Sequence, residues 1–380
     1  ERPVVVHCAT IKGKGFAPAE EGGLEGMEKW HAAKPKSIAN GAPARVVKPP
    51  ASAKPAPPAY TQVFGDALVR ECHRDDRVIG ITAAMNSGTG LNILQGELPD
   101  RYYDVGIAEQ QAILFASGLA LQGCKPVAAI YSTFLQRAYD QIVHDVCLQK
   151  LNVVFAMDRA GLVGDDGPTH HGVYDIAYLR CLPNIVLMAP RDEAMLVHML
   201  HTSLRYDDGP VALRYPRGVG VGVDLPARPE TIEIGTGEIL SEATTDDPRA
   251  HRVALLGYGS GVGKAVEAAE ILREHGIAVT VADARFAKPI DAGLAAQLAA
   301  EHELLVTVEE GVLAGGFGSA VWETLSDSGL APRILRVGLP DRFVTHGSPA
   351  LLHEEVGFTG DRIAERVEAA VGGRSGVTSG

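Results

Sequence analysis

The stretch YYDVGIAEQQAILFASGLALQGCKPVAAIYSTFLQRAYDQIVHDVCLQKLNVVFAMDRAGLVGDDGPTHH, residues 102–171, decides the fold. Its apolar spacing predicts, in order, a strand, an acidic residue, a helix, a strand, an aromatic loop, a helix, a strand and a loop of Gly, Asp and His. In an open parallel sheet, ligands bind at the carboxyl ends of the strands. Glu109, residues 131–137 and residues 158–171 should therefore lie along one edge of a sheet, which is the candidate active site.

Composition narrows the class of protein. A chain of 380 residues exceeds one ordinary core and predicts two or three domains. Apolar content of 46% with 6% aromatic residues favours an α/β fold, in which helices pack on a parallel sheet. The net charge of -12 disfavours nucleic acid or a membrane surface as partner. No apolar run reaches the length of a membrane span.

The cysteines indicate a reducing compartment. Their number is odd, they are widely spaced, and most have apolar neighbours in sequence. We therefore expect reduced core thiols and a cytoplasmic protein. The five residues are Cys8, Cys72, Cys124, Cys147 and Cys181.

The chain divides at changes in composition. Residues 34–59 are rich in Pro, Ala and Lys and predict an extended linker. Residues 60–223 alternate strands and helices, and residues 231–375 form a second, smaller α/β region that closes with a helix near 361–371. Residues 2–10 are interpreted as a buried strand. Because a domain seldom begins with an interior strand, we expect further sequence upstream.

A Gly-rich turn at residues 257–263, GYGSGVG, follows one predicted strand and opens a helix. This context is typical of a dinucleotide-binding fingerprint. The spacing GxGxxG would require Gly at position 262 or 264, where Val262 and Lys264 stand. We therefore expect a tight strand-to-helix turn and no nicotinamide site.

Glu109 is the leading candidate for catalysis. A carboxylate at a helix N-terminus is often only stabilised by the helix dipole. Two polar loops follow it, however, and a buried carboxylate with a raised pKa can share a proton with a heterocycle nitrogen, which is general acid–base catalysis. The polar and aromatic residues of these loops are Tyr131, Phe134, Arg137, Asp158, Arg159, Asp165, Asp166, His170 and His171.

Several motifs in order resemble one family. DVGIAEQQA, IYSTFLQRAYDQIVHDV, DRAGLVGDDGPTHHGVYD, YLRCLPN and RYPRG resemble the pyrimidine-binding domain of the thiamine-diphosphate enzymes of the transketolase family. KGKGFAPAE and WHA, within residues 1–33, resemble the tail of the first, diphosphate-binding domain. KPID, VEEGVLAGGFGSAV and GLPDRFV resemble the transketolase C-terminal domain.

The resemblance implies a transketolase-type transferase. The reaction implied for this chain is the decarboxylation of pyruvate on thiamine diphosphate and the condensation of the product with glyceraldehyde 3-phosphate, which would supply isoprenoid, thiamine and pyridoxal precursors. The alternatives are the beta subunit of a 2-oxo-acid dehydrogenase and a non-catalytic transketolase-like paralogue. The first-domain tail argues against the beta subunit, and the retained Glu109 argues against the paralogue.

The resemblance also implies roles for individual residues. Glu109 would hydrogen-bond the cofactor's aminopyrimidine ring, Phe134 would stack on that ring, and Phe16 would reach the cofactor from the first domain. Arg159 and Arg217 would clamp the acceptor's phosphate, for which bidentate guanidinium groups are suited. His171 is expected at the surface or behind the site. The remaining residues expected in the cleft are His31, Tyr131, Arg137, Asp166 and His170. Of these, Asp166 and the two histidines would carry protons.

Taken singly, these residues also have simpler interpretations. Tyr131 and Phe134 could be core residues, Arg217 an exposed charge at a strand end, and Asp166 a turn residue. Their joint placement at successive strand ends favours the functional interpretation.

Two departures from the family pattern matter. Gln111 stands where the family usually has His, and the Gly-Asp-Gly motif that binds the diphosphate and a divalent metal is missing. We therefore expect no metal site in this chain, with Mg2+ and the diphosphate bound by an N-terminal part of the same enzyme. The family resemblance also implies a homodimer.

Overall fold

The computed structural model of the chain describes residues 4, 6–11, 13–21, 56–245 and 247–372. The chain divides into two compact units, Glu1–Pro55 and Ala56–Gly380. In the first unit the described residues form one short helix, Ala17–Glu20. The strand predicted for residues 2–10 is wrong for the described part of that range, where Val4 and Val6 are 81% and 77% exposed. No described strand of this unit is available to pair with it.

The second unit alternates strands and helices. Its described strands are β1 Val78–Thr82, β2 Tyr102–Asp104, β3 Lys125–Tyr131, β4 Val154–Ala160, β5 Val186–Met188, β6 Val211–Pro216, β7 Glu238–Ser241, β8 Arg252–Tyr258, β9 Ala278–Asp283, β10 Phe286–Lys288, β11 Leu304–Val312 and β12 Ile334–Leu339. Its longer described helices are α1 Tyr60–Arg74, α2 Leu91–Glu97, α3 Glu109–Leu121, α4 Asp175–Arg180, α5 Glu193–Ser203, α6 Gly261–Glu274, α7 Ala292–Glu301, α8 Phe317–Asp327, α9 Pro349–Val356 and α10 Gly360–Gly372. Residues 132–147 form consecutive helical turns of α, 3-10, α and π type.

The first sheet has the order β10-β5-β6-β4-β3-β1-β2 among the described strands. Strands β1 to β6 pair in parallel, and β3 and β4 are buried along most of their length because helices cover both faces. The predicted α/β class is confirmed. Strand β10, from the C-terminal region of the chain, adds an antiparallel edge next to β5. Its three residues are too few to give a strand pattern in the sequence.

The second described sheet has the order β12-β11-β8-β9-β7, in which β7 is an antiparallel edge. The Gly-rich turn lies between β8 and α6, as predicted. A Cβ on Gly261 would lie 2.3 Å from the Val308 carbonyl oxygen, and one on Gly257 would lie 2.6 Å from Val262 Cα. These glycines are therefore explained by close packing of strand and helix.

The cysteine prediction is correct for only part of the set. All five are free, but only Cys72 and Cys147 are buried, whereas Cys8 and Cys181 are exposed and Cys124 is intermediate. Apolar neighbours in sequence do not report which face of an element a side chain occupies. Among the described residues, none of the helices is both long enough and apolar enough to span a bilayer.

Candidate active site

Glu109 is the first residue of α3 and is 2% exposed. The apolar run that follows it packs into the core and carries the carboxylate inward, where the helix N-terminus favours its negative charge. Nη1 of Arg137 donates to its Oε1 over 3.0 Å, and the Arg137 side chain is half exposed. No hydrogen bond from the described residues reaches Oε2. Among the described residues, Oε2 of this buried carboxylate therefore has no competing partner for a ligand's hydrogen bond.

An aromatic row lies beside this pair, formed by Arg137, Phe134, Tyr131 and Arg159. The rings of Phe134 and Tyr131 stack with centroids 5.7 Å apart. The Arg137 guanidinium lies 5.1 Å from the Phe134 centroid, and that of Arg159 lies 3.9 Å from the Tyr131 centroid. Both rings are partly buried and pack against the edge of the hydrophobic core. They therefore contribute to the core and also present partly exposed surface, and their role in binding stays a prediction.

The end of β4 fixes Arg159. Tyr131 and Asp158 are register partners at the ends of β3 and β4, so Arg159 emerges next to the aromatic row. Its Nη1 lies 3.0 Å from Asp158 Oδ1 and donates to the Gly88 carbonyl oxygen. Its φ of 63° is left-handed, a conformation that costs a non-glycine residue of order 1–3 kcal/mol. The surrounding contacts hold this guanidinium in place.

Asp158 is fully buried beneath Arg159. The Thr61 hydroxyl donates to its Oδ2 over 2.6 Å. Burial raises the pKa of Asp158 to about 6, although the Arg159 guanidinium acts in the opposite direction. Asp158 therefore changes charge just below neutral pH.

The polar loop, residues 161–172, carries the next candidates. Gly161 and Gly172 close it through two backbone hydrogen bonds of 2.7 and 2.9 Å. The His170 ring meets Phe134 edge-on, with centroids 5.2 Å apart, and its Nδ1 lies 2.8 Å from Thr169 Oγ1. His170 is therefore brought to the aromatic row, as the strand order predicts.

Asp166 and Arg217 form an ion pair at the open side of the site. Arg217 Nη1 donates to Asp166 Oδ2 over 2.9 Å and to the Val163 carbonyl oxygen over 3.2 Å. Both side chains are nearly half exposed, so the pair itself adds at most about 1 kcal/mol of stability. An anionic ligand can compete with Asp166 for this guanidinium. Asp165, the neighbour of Asp166, is exposed.

Three other expectations remain untested by this geometry. Phe16 is about half exposed and belongs to the first unit, so its approach to a cofactor stays a prediction. His31 lies outside the described residues. Gln111 is exposed on α3, two residues after Glu109, and the effect of the departure stays a prediction. The described residues contain no group of three or more His, Cys, Asp or Glu able to hold a metal ion.

Sequence reasoning missed two residues of the site. Thr61 bonds Asp158 from α1, and a Cβ on Gly88 would lie 1.7 Å from the Tyr131 hydroxyl, so a side chain there would displace the Tyr131 ring. The NSGTG turn was a usable signal for Gly88, whereas Thr61 gave none because its partner is distant in sequence. His171 is 3% exposed, so of its two predicted positions the one behind the site is correct and the surface is wrong.

Comparison with known proteins identifies the two regions of the second unit. Residues 56–220 match the transketolase pyrimidine binding domain, and residues 241–363 match the transketolase C-terminal domain. The chain is 55% identical over 97% of its length to the 1-deoxy-D-xylulose-5-phosphate synthase of Cyanothece sp., covering 56% of that protein. It is 54% identical over 97% of its length to the synthase of Thermomicrobium roseum, covering 55%. The chain thus spans about half the length of these relatives.

A solved structure gives a second comparison. It is described as a split gene transketolase, inactive beta4 tetramer, and is 31% identical with a TM-score of 0.72. The match covers 83% of this chain and 99% of that one. The likeness therefore extends over the whole of a separately encoded chain.

Proposed function

Because this chain belongs to the transketolase family, we propose that it is the C-terminal portion of a 1-deoxy-D-xylulose-5-phosphate synthase. The complete enzyme would be a thiamine-diphosphate-dependent transferase. It would release CO2 from pyruvate and join the remaining two-carbon unit to the aldehyde of glyceraldehyde 3-phosphate. The observation that carries the proposal is the buried Glu109 carboxylate with one open oxygen beside the aromatic row.

The donor set of the site fits the cofactor's pyrimidine ring. Bound thiamine diphosphate supplies the carbanion chemistry that amino-acid side chains lack. Glu109 would hold a proton at a ring nitrogen, and Arg137 orients its carboxylate for that contact. Phe134 would offer its partly buried face to the ring, and Phe16 would approach from the first domain.

The substrates would lie toward the polar loop. Arg159 and Arg217 would bind the acceptor's phosphate, the first held rigid by Asp158 and the second able to leave Asp166. Charge-assisted bonds of this kind contribute about 1.5–3 kcal/mol each. The side chains proposed to contact the reacting carbonyl groups or move their protons are Tyr131, Asp166, His170 and, from the first domain, His31.

The proposed enzyme needs a companion. We propose that an N-terminal fragment of the same enzyme binds the diphosphate and Mg2+, and that the complete protein is a cytoplasmic homodimer. The split transketolase chain to which this one is similar is described as inactive in its beta4 form, which supports the same division.

An add-back assay tests the proposal. Intact mass spectrometry first identifies every polypeptide in the preparation. The chain is then assayed with pyruvate, glyceraldehyde 3-phosphate, thiamine diphosphate and Mg2+, with and without the N-terminal half of the Thermomicrobium roseum relative. We expect CO2 and a five-carbon sugar phosphate only when both parts are present. Acetyl transfer to an added lipoyl acceptor would instead indicate a 2-oxo-acid dehydrogenase. No turnover with or without the N-terminal half would indicate a non-catalytic paralogue.

A further inference from the structure

His171 connects the polar loop to the C-terminal region of the chain. The backbone N–H of Val163 donates to its Nδ1 over 3.1 Å, so Nδ1 is an acceptor and the ring proton lies on Nε2. Nε2 lies 3.2 Å from the Thr345 carbonyl oxygen and therefore donates to it. The buried His171 imidazole thus bonds to the polar loop through Nδ1 and to the loop after β12 through Nε2.

Two further contacts hold the same loop from the same side. The Gly347 N–H donates to the Gly164 carbonyl oxygen over 3.4 Å. The Leu162 N–H donates to Oε1 of Glu310 on β11 over 2.9 Å. Glu310 is itself fixed by Ser260 and His353, at 2.6 and 2.8 Å.

Glycines allow this close approach. A Cβ on Gly161 would lie 2.5 Å from the Glu310 carboxyl carbon, and one on Gly167 would lie 3.1 Å from His346 Cβ. Gly167 has a φ of 72° and precedes the residues that place His170. The backbone of the loop therefore rests directly on the C-terminal region.

The two regions also share an apolar cluster, in which Leu162 and Val173 pack with Leu339, Val344 and Leu352. The hydrogen bonds of Gly164 and His171 add to this packing on either side of Asp166. The loss of the His171 bond should therefore loosen the loop measurably around Asp166 and His170.

We infer that the C-terminal region acts as a clamp on the polar loop, and that His171 is the positioning residue which joins the two. This inference rests on the proposed function, because Asp166 and His170 of the loop are the side chains assigned to the substrate. The clamp fixes these side chains against the aromatic row without contacting the substrate. Glu109 and Phe134 lie outside the loop, and of the two only Phe134 contacts it, at the edge of the His170 ring.

Two substitutions separate the halves of the His171 contact. H171Q places an amide nitrogen near the position of Nε2 and keeps the bond to Thr345. H171N places an amide oxygen near Nδ1 and keeps the bond to Val163, but it is too short to reach Thr345. H73N is the matched control, since His73 is an exposed histidine on α1.

Hydrogen exchange on this chain gives a readout that does not require activity. We expect amides of residues 161–172 to exchange about 5- to 10-fold faster in H171N, the scale of one lost hydrogen bond, and to stay within about twofold of wild type in H171Q and H73N. Equal exchange in all the proteins, or equal loosening in H171N and H171Q, would overturn the inference. If H171N does not fold, H171Q decides alone, because loss of loop protection in that variant excludes the clamp.

Kinetics with the N-terminal companion present give the second readout. We expect H171N to raise the KM for glyceraldehyde 3-phosphate about 5- to 10-fold, while CO2 release from pyruvate without acceptor keeps its rate. A general structural defect would raise the KM and also lower the rate of CO2 release. Absence of synthase activity in the wild type would refute the proposed function and leave the exchange result to decide the clamp.

Discussion

Glu109 and Glu309 are both buried glutamates beside helix N-termini, but their oxygens are used differently. Glu309, on β11, accepts backbone hydrogen bonds from Phe317 and Gly318 at 2.6 and 2.8 Å, one on each oxygen. Glu109 accepts one bond, from the half-exposed Arg137, and no described residue bonds its Oε2. A carboxylate whose oxygens both bind local amides anchors the fold, whereas one held by a side chain with an oxygen open can serve a ligand.

The largest expected effect separates these two carboxylates by activity. E109Q should reduce synthase turnover by about 10²- to 10⁴-fold, because an amide cannot exchange a proton with the cofactor's ring. The assay is product formation with the N-terminal companion present, and thermal unfolding of the variant provides the control for folding. More than a tenth of the wild-type rate would contradict the role given to Glu109.

Glu309 should show the opposite behaviour. E309A leaves two helix N-terminal amides without a partner and should lower the free energy of unfolding by roughly 2–4 kcal/mol. The folded fraction should keep its turnover per site, since both hydrogen bonds of the Glu309 carboxylate go to the turn into α8. Denaturant unfolding measures the loss, and E309Q, which retains one acceptor, should lose less. A catalytic defect in folded E309A would contradict the purely structural role given to Glu309.

The sequence predicted the class of the fold and the assembly of the site, but not this distinction. The strands β3 and β4 and the helix after Glu109 show their apolar patterns directly in the sequence. The polar residues that follow each strand could therefore be assigned to one edge of the sheet. Thr61 and the edge strand β10 gave no local signal, because each is defined by a partner far away in sequence. Whether both oxygens of a carboxylate accept hydrogen bonds also depends on contacts made in the folded chain, which the sequence does not show.

The two arginines extend the comparison to cations. Arg159 is fixed by Asp158 and stacked on Tyr131, whereas Arg217 is half exposed and forms an ion pair with Asp166. R217A should raise the KM for glyceraldehyde 3-phosphate by about 10- to 150-fold, equivalent to about 1.5–3 kcal/mol. R159K, which keeps a charge over the buried Asp158, should weaken binding less than R159A.

Unphosphorylated glyceraldehyde is the matched control for these variants. Its KM should be unchanged by R217A, because it carries no phosphate for the guanidinium to bind. Equal losses with both acceptors would contradict a phosphate clamp and would indicate a general disturbance of the polar loop.

The smallest expected effect is a pH dependence that distinguishes Asp158 from an ordinary surface carboxylate. Burial raises its pKa from 3.8 to about 6, so it contributes stability that is full below pH 3.8 and is lost as the pH rises toward 6. For binding the sign is reversed, since only the charged form holds Arg159. The KM for glyceraldehyde 3-phosphate should therefore rise severalfold as the pH falls from 7 to 5. The substrate's phosphate also titrates at about pH 6, so the test compares the two proteins. D158N should show a smaller rise in KM than wild type, and a profile identical to wild type would show that Asp158 does not titrate there.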